Sequence, residues 1–331
     1  MLTARENYME LVKGGKPERL VNGYETFEFV INEPLLNKYY FSCYIEGQDT
    51  KNPFGVTIRW KKGEHAGMPY VTDETKVIKD VTEWRKDFIK QDLQFPDEAW
   101  KAAQEACAAV NRKEKLATGL MVTGLFESSH FLMGFEDTLM NFLMEPEATG
   151  ELLDALLDWK MEYAKELMDH LDLDAILFHD DLGAKDKLFF SKEVFDEFFK
   201  PRYEKLFGYI TSRGVQVILH ADSYCEPLVE DFVDMHITTW QGALRTNNFK
   251  SIQERVKGKL ICMGGIDSII DREDWQEEEV RAEVRRAIAE GEPYGAFIPC
   301  ITYGLPESIF PGVLECIMDE VNRYNEEQMK K

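Results

Sequence analysis

Val215-Gln216-Val217-Ile218-Leu219-His220-Ala221-Asp222 is an apolar, largely β-branched run that ends in His-x-Asp. Arg213-Gly214 and a helical segment precede it, so it reads as a buried parallel strand. His220 and Asp222 stand where this strand gives out. In a parallel sheet flanked by helices, that carboxyl end is where ligands bind. Side chains at i and i+2 leave an extended backbone on the same side. An imidazole and a carboxylate facing together can hold a metal or work as an acid/base pair, and the residues alone leave both open.

Outward from this strand the same pattern repeats. Helices are expected over 97–113, 135–143, 147–170, 191–212, 227–233, 248–257 and 277–290, and from Pro306 to about Tyr324. Between them lie strand-like runs at 116–125, 175–178, 236–240, 260–263 and 295–299. A short helix over 3–13, a strand-like stretch over 20–31 and a turn into a strand over 52–60 come earlier, with His65 in a loop. Strands alternating with helices of this length spell repeated βα units. The expectation is an α/β chain, a (β/α)8 TIM barrel in a single domain 1–331, irregular over 1–96 and regular over 97–331. No GxGxxG follows a strand and no GxxxxGK[ST] occurs, so dinucleotide and P-loop chemistry have no support.

The net charge of −22 argues against nucleic acid or an anionic membrane as partner. No run approaches the roughly 18 apolar residues of a membrane span, and Met1–Asn7 lacks a signal-peptide core. The six cysteines form no CxxC pair and read as reduced thiols, which places the protein in the cytoplasm.

Several expected strands end in polar or metal-competent groups: Glu127 and His130, then His179, Asp180 and Asp181, then His220 and Asp222, then Gln241, Asp267 and Cys300. On a barrel these ends converge on one mouth, and their repetition is the sequence argument for an enzyme. Plainer readings stand beside it. Asp180 or Asp181 can cap the following segment, Cys300 can be a small buried hydrophobe, and His130 and His236 read as core or loop histidines.

A wider set of motifs sharpens this. Pro17-Glu18-Arg19, Pro53-Phe54-Gly55-Val56 with Trp60, and Val77-Ile78-Lys79-Asp80 before Trp84 open the chain. His179-Asp180-Asp181-Leu182-Gly183, Phe190–Phe195 and Phe199-Lys200-Pro201-Arg202-Tyr203 follow, then Met263-Gly264-Gly265-Ile266-Asp267 and Pro299-Cys300 with Pro306. Together they resemble the uroporphyrinogen decarboxylase superfamily, in particular its cobalamin-dependent methyltransferase branch, over nearly the whole chain. The decarboxylase's arginine-rich signature is missing from 20–33. The resemblance implies a TIM barrel and a zinc bound through His-x-Cys and a distant Cys. Here His220 matches the first ligand and Cys300 the last, while the middle position carries Asp222. A His/Asp/Cys set still leaves one open position on zinc. With a carboxylate in place of one thiolate, the metal is expected to act as a Lewis acid toward a methyl-bound oxygen.

The implied activity is transfer of a methyl group between a small methyl donor, such as a methyl ether, and the cobalt of a corrinoid (cobalamin) on a separate corrinoid protein docked over the mouth. Asp181, Glu127 and Asp180 are expected to orient the substrate or move its proton, and His179, Gln241 and Asp267 to line its site. A metal-free decarboxylase or lyase, with Asp180 or Asp181 protonating a carbanion, is the second expectation. A barrel without catalysis is the third.

Overall fold

The computed structural model describes residues 1–64, 66–302 and 309–330, so His65 and Pro306 lie outside the described residues. Among the described residues there are ten strands: β1 (Phe27–Phe29), β2 (Gln48–Lys51), β3 (Thr57–Trp60), β4 (Met68–Pro69), β5 (Leu116–Met121), β6 (Ala175–His179), β7 (Gln216–Ser223), β8 (Ile237–Ala243), β9 (Ile261–Ile266) and β10 (Phe297–Ile301). Seven of them form one parallel sheet in the order β1-β5-β6-β7-β8-β9-β10. The other three, β2-β3-β4, make a separate antiparallel sheet. Thus the early region adds one strand to the barrel ladder and spends its other strands beside it.

Period-2 geometry explains why the parallel strands read as near-continuous apolar runs. Ala175 and Leu177, Ile218, Ile261 and Met263, and Ile298 pack in one interior cluster. Their neighbours Ile176, Phe178, Val217, Leu219 and Cys262 pack outward against helices in another. Phe27 of β1 joins Ile298 and Cys300 of β10 in the interior cluster, so the seven described parallel strands curl round on themselves in the manner of a (β/α)8 barrel. Truncating an interior residue such as Leu177 to alanine would cost about 2–5 kcal/mol.

The helix Ala4–Val12 plugs the amino-terminal end of the barrel. Thr3 and Glu6 form a capping box at its start. Tyr8 and Leu11 enter the interior cluster, and the Tyr8 hydroxyl lies 2.9 Å from Thr239 Oγ1.

Three boundaries differ from expectation for local reasons. The 20–31 stretch is extended as a strand only at Phe27–Phe29, because Leu20 and Asn22 are tied to the last helix; the Leu20 N–H donates to Asn325 Oδ1 at 2.9 Å and Asn22 Nδ2 donates to the Met318 carbonyl at 2.8 Å. β5 stops at Met121, Thr123 takes a φ of +23°, and a helix begins at Leu125, so Glu127 belongs to the first turn of Leu125–Met133. The closing helix runs Val313–Met329, past Tyr324. Among the described residues no helix is long and apolar enough to cross a membrane.

Candidate active site at the barrel mouth

The inward positions turn polar at the carboxyl ends of β6, β7 and β8. Strand register puts His179 opposite His220, and His220 opposite Gln241. Adjacent strands lie about 4.8 Å apart, and the two imidazole rings accordingly stack with centroids 4.4 Å apart and planes 14° from parallel. Each ring has a fixed outer partner. His179 Nδ1 lies 2.7 Å from Glu127 Oε2, and His220 Nδ1 bonds Gln241 Oε1. Gln241 is buried and also donates from Nε2 to the Thr302 carbonyl at 3.3 Å. Asp181 Oδ1 accepts the N–H of Asp222 at 2.8 Å, which ties the β6 end to the β7 end.

Asp180 points the other way, as its parity requires. It is fully buried, and its carboxylate accepts the N–H groups of Phe126 at 3.1 Å and Glu127 at 2.9 Å together with the Tyr203 hydroxyl. It is therefore a cap, though of the helix Leu125–Met133, which precedes it in sequence. Through that helix Asp180 sets the position of Glu127, and Glu127 in turn holds His179.

Two side chains that the sequence reading does not place at the site complete this inner layer: Lys160, and Tyr203, which it quotes only within a motif. Lys160 is fully buried and donates to the Val122 carbonyl at 2.9 Å. Its signal was present: it interrupts the apolar stripe Leu152, Leu153, Leu156, Leu157, Tyr163 and Leu167 of the helix Pro146–His170. A lysine on a core-facing stripe needs a polar partner. Tyr203 sits likewise on the buried stripe of Lys200–Ser212.

Burial dominates the electrostatics here. It opposes the charge of His179, but Glu127, Asp181 and Asp180 outweigh it and carry the imidazole up to about 9. For His220, burial and the neighbouring charge of His179 act in one direction and push the imidazole down, so it stays neutral. Burial and Asp181 raise the Asp222 carboxyl to about 6, against a hydrogen bond from Thr302. Burial brings Lys160 down to about 8 despite Asp180 and Glu127. His130 packs among the rings of Phe126, Phe131 and Phe135, and burial lowers it to about 4.

The expected site residues thus fall in three places. His179, Asp181 and His220 come together, with one ligand atom from each lying within 4.8 Å of the others, and form a group able to hold a metal. Glu127 and Gln241 stand directly behind the two imidazoles. Asp222 and Cys300 are outside that group. Cys300 is 3% exposed, its thiol is turned to the Ile301 carbonyl at 3.1 Å, and burial pushes its titration up. Asp267 caps the turn Ser268–Ile270 and faces Arg245 at 3.3 Å on the rim.

A parallel barrel with this set of polar groups at the carboxyl ends of its strands belongs to the (β/α)8 class, in which the mouth is the candidate site. Residues 50–324 match the family described as Uroporphyrinogen decarboxylase (URO-D), and the chain belongs to that family. No curated protein matches it. Among solved structures, a methyltransferase from Methanosarcina mazei superposes with a TM-score of 0.62 at 13% identity, covering 98% of this chain and 99% of that one. A dihydropteroate synthase from Anaplasma phagocytophilum, solved with bound 6-hydroxymethylpterin-monophosphate, reaches a TM-score of 0.38 at 14% identity over 55% of this chain and 71% of its own.

Proposed function

We propose that this chain is a corrinoid-dependent methyltransferase, which moves a methyl group between a small O-methyl substrate and the cobalt of a corrinoid carried by a separate protein, with zinc at the mouth. Membership of the family and the full-length likeness to a methyltransferase support methyl transfer. The observation that carries the reading is the pair of partnered imidazoles beside Asp181 at the mouth, a donor set suited to a divalent metal. Zinc, when bound, supplies Lewis acidity toward the ether oxygen, and the reduced corrinoid supplies the nucleophile.

The rest falls to this chain's own side chains. Gln241 keeps the Nδ1 proton on His220, which leaves Nε2 with its lone pair facing the mouth. Glu127 holds Nδ1 of His179, whose Nε2 proton would be displaced on metal binding. With Asp181 among the metal's donors, Glu127 behind His179 is the carboxylate left to orient the substrate or serve the proton that a departing oxygen requires, with Asp267 and Arg245 on the rim. Heme-pathway decarboxylation is disfavoured. The 20–33 stretch contains no arginine to hold the acetate groups of a porphyrinogen, and the adjacent Arg19 is paired with Glu25 at 2.6 Å.

The test is elemental analysis of the purified chain, then the spectrum of cob(I)alamin with the chain and a panel of methoxylated donors. Donor-dependent conversion to methylcobalamin that a chelator abolishes is the expected result. No methylation with any donor, together with carbon dioxide release from carboxylated substrates in the presence of chelator, would establish the lyase in its place.

A further inference from the structure

We propose that the metal seat in this chain is His179, Asp181 and His220, shifted by one strand from the His220, Asp222 and Cys300 positions that the resemblance implies, and built from nitrogen and oxygen donors alone. The inference rests on the reading that the mouth holds a metal and names the residues that hold it.

Three observations converge on this set. One is proximity: a ligand atom from each of the three side chains lies within 4.8 Å of the others. Ligands about 2.1 Å from a tetrahedral zinc stand about 3.4 Å from one another, so small rotamer adjustments close the group. The second is the state of the remaining ring and carboxylate atoms. His179 Nδ1 is taken by Glu127 at 2.7 Å, His220 Nδ1 by Gln241, and Asp181 Oδ1 by the Asp222 N–H at 2.8 Å. Among the described residues, the atom each side chain has left for a metal is Nε2 of His179, Nε2 of His220 and Oδ2 of Asp181, and any proton on a ring Nε2 would be displaced as the metal binds. Metal-ligating histidines characteristically carry such an outer acceptor on the other ring nitrogen, which sets both tautomer and orientation. The third is the parallel stack of the imidazoles, 14° apart in plane, imposed by the register of two adjacent strands.

The other set lacks these features. Cys300 belongs to β10, three strands round the sheet from β7, and its thiol is directed at the neighbouring carbonyl. The Asp222 carboxylate is engaged by Thr302. With aspartate at 222 the end of β7 offers only nitrogen and oxygen donors, and the end of β6 beside it offers the same kind in His179 and Asp181. Two imidazoles and one carboxylate leave an open position and a more electrophilic ion than a thiolate set would.

Cobalt(II) loading reads the ligands on the unaltered chain. A thiolate ligand produces an intense near-ultraviolet sulfur-to-cobalt charge-transfer band, whereas the proposed set gives only the weak visible bands of a nitrogen and oxygen site. Zinc content after loading and dialysis provides the second readout, with folding checked by circular dichroism. The expected result is near one metal per chain in the wild type, Cys300→Ala and Asp222→Ala. In His179→Ala and Asp181→Ala, affinity should fall by at least the roughly 10–100-fold that loss of a mere outer partner causes. A charge-transfer band that disappears in Cys300→Ala, with His179→Ala still binding as the wild type does, would overturn the seat and leave a metal-dependent enzyme standing. A wild-type chain that takes up neither zinc nor cobalt would overturn the metal reading itself.

Discussion

Replacing Asp180 should destabilise the barrel more than any other single change at the mouth, because this carboxylate has no solvent and three donors. It is fully buried and accepts two backbone N–H groups at 3.1 and 2.9 Å and the Tyr203 hydroxyl. Alanine would strip the cap from Leu125–Met133, a loss of about 1 kcal/mol. It would also leave buried donors without acceptors, at about 1–3 kcal/mol for each that water cannot reach. With three donors the sum is at least about 4 kcal/mol. Asparagine keeps the shape but turns one oxygen into a donor facing other donors, so about 2 kcal/mol is expected. Urea unfolding at neutral pH measures both, with an unchanged m-value as the sign that only stability has moved. Gly124→Ala attacks the same contact from the other side, since a Cβ there would lie 2.2 Å from the Asp180 Cβ. An Asp180→Ala protein within 1 kcal/mol of the wild type would refute the assignment of Asp180 as a cap and return it to the list of groups free to act on substrate.

Two further outcomes follow from the same geometry. Gln241→Leu preserves bulk but removes the acceptor for His220 Nδ1–H; zinc affinity measured against a competing chelator should drop about 10–100-fold, and an unchanged affinity would show that the tautomer of His220 is set by something else. Glu33 is buried at the start of the helix Pro34–Tyr39, and burial raises its carboxyl from 4.5 to about 7. Between those values the native state holds a proton that the unfolded chain has released, so the contribution of Glu33 to stability is fully present below 4.5 and falls as pH rises toward 7, by up to about 3 kcal/mol. In Glu33→Gln this fall should vanish, and parallel urea midpoints for variant and wild type across pH 5 to 8 would contradict it.

Much of the barrel could be read from local pattern, and the reason is burial on both faces. A strand covered by helices outside and by its fellows inside must be apolar at every position, so Val217–Leu219 and Ile176–Phe178 stand out against the amphipathic helices between them. Where that run turns polar the mouth begins, and the period of two then settles which polar residues look inward: His179 with Asp181, and His220 with Asp222. Pairing lay outside this information. That His179 stands opposite His220 depends on the register between strands some forty residues apart in sequence, and no local pattern encodes it. That Asp180 caps a helix lying before it in the chain, that Glu127 reaches His179 from that helix, and that Lys160 enters behind them from a third element are all consequences of packing. Sequence determined which residues are polar among apolar neighbours and on which side of a strand they lie. Tertiary structure decided which of them share a partner, because a hydrogen bond or a metal seat is a condition on distance between segments, and distance between segments exists only after the chain has folded.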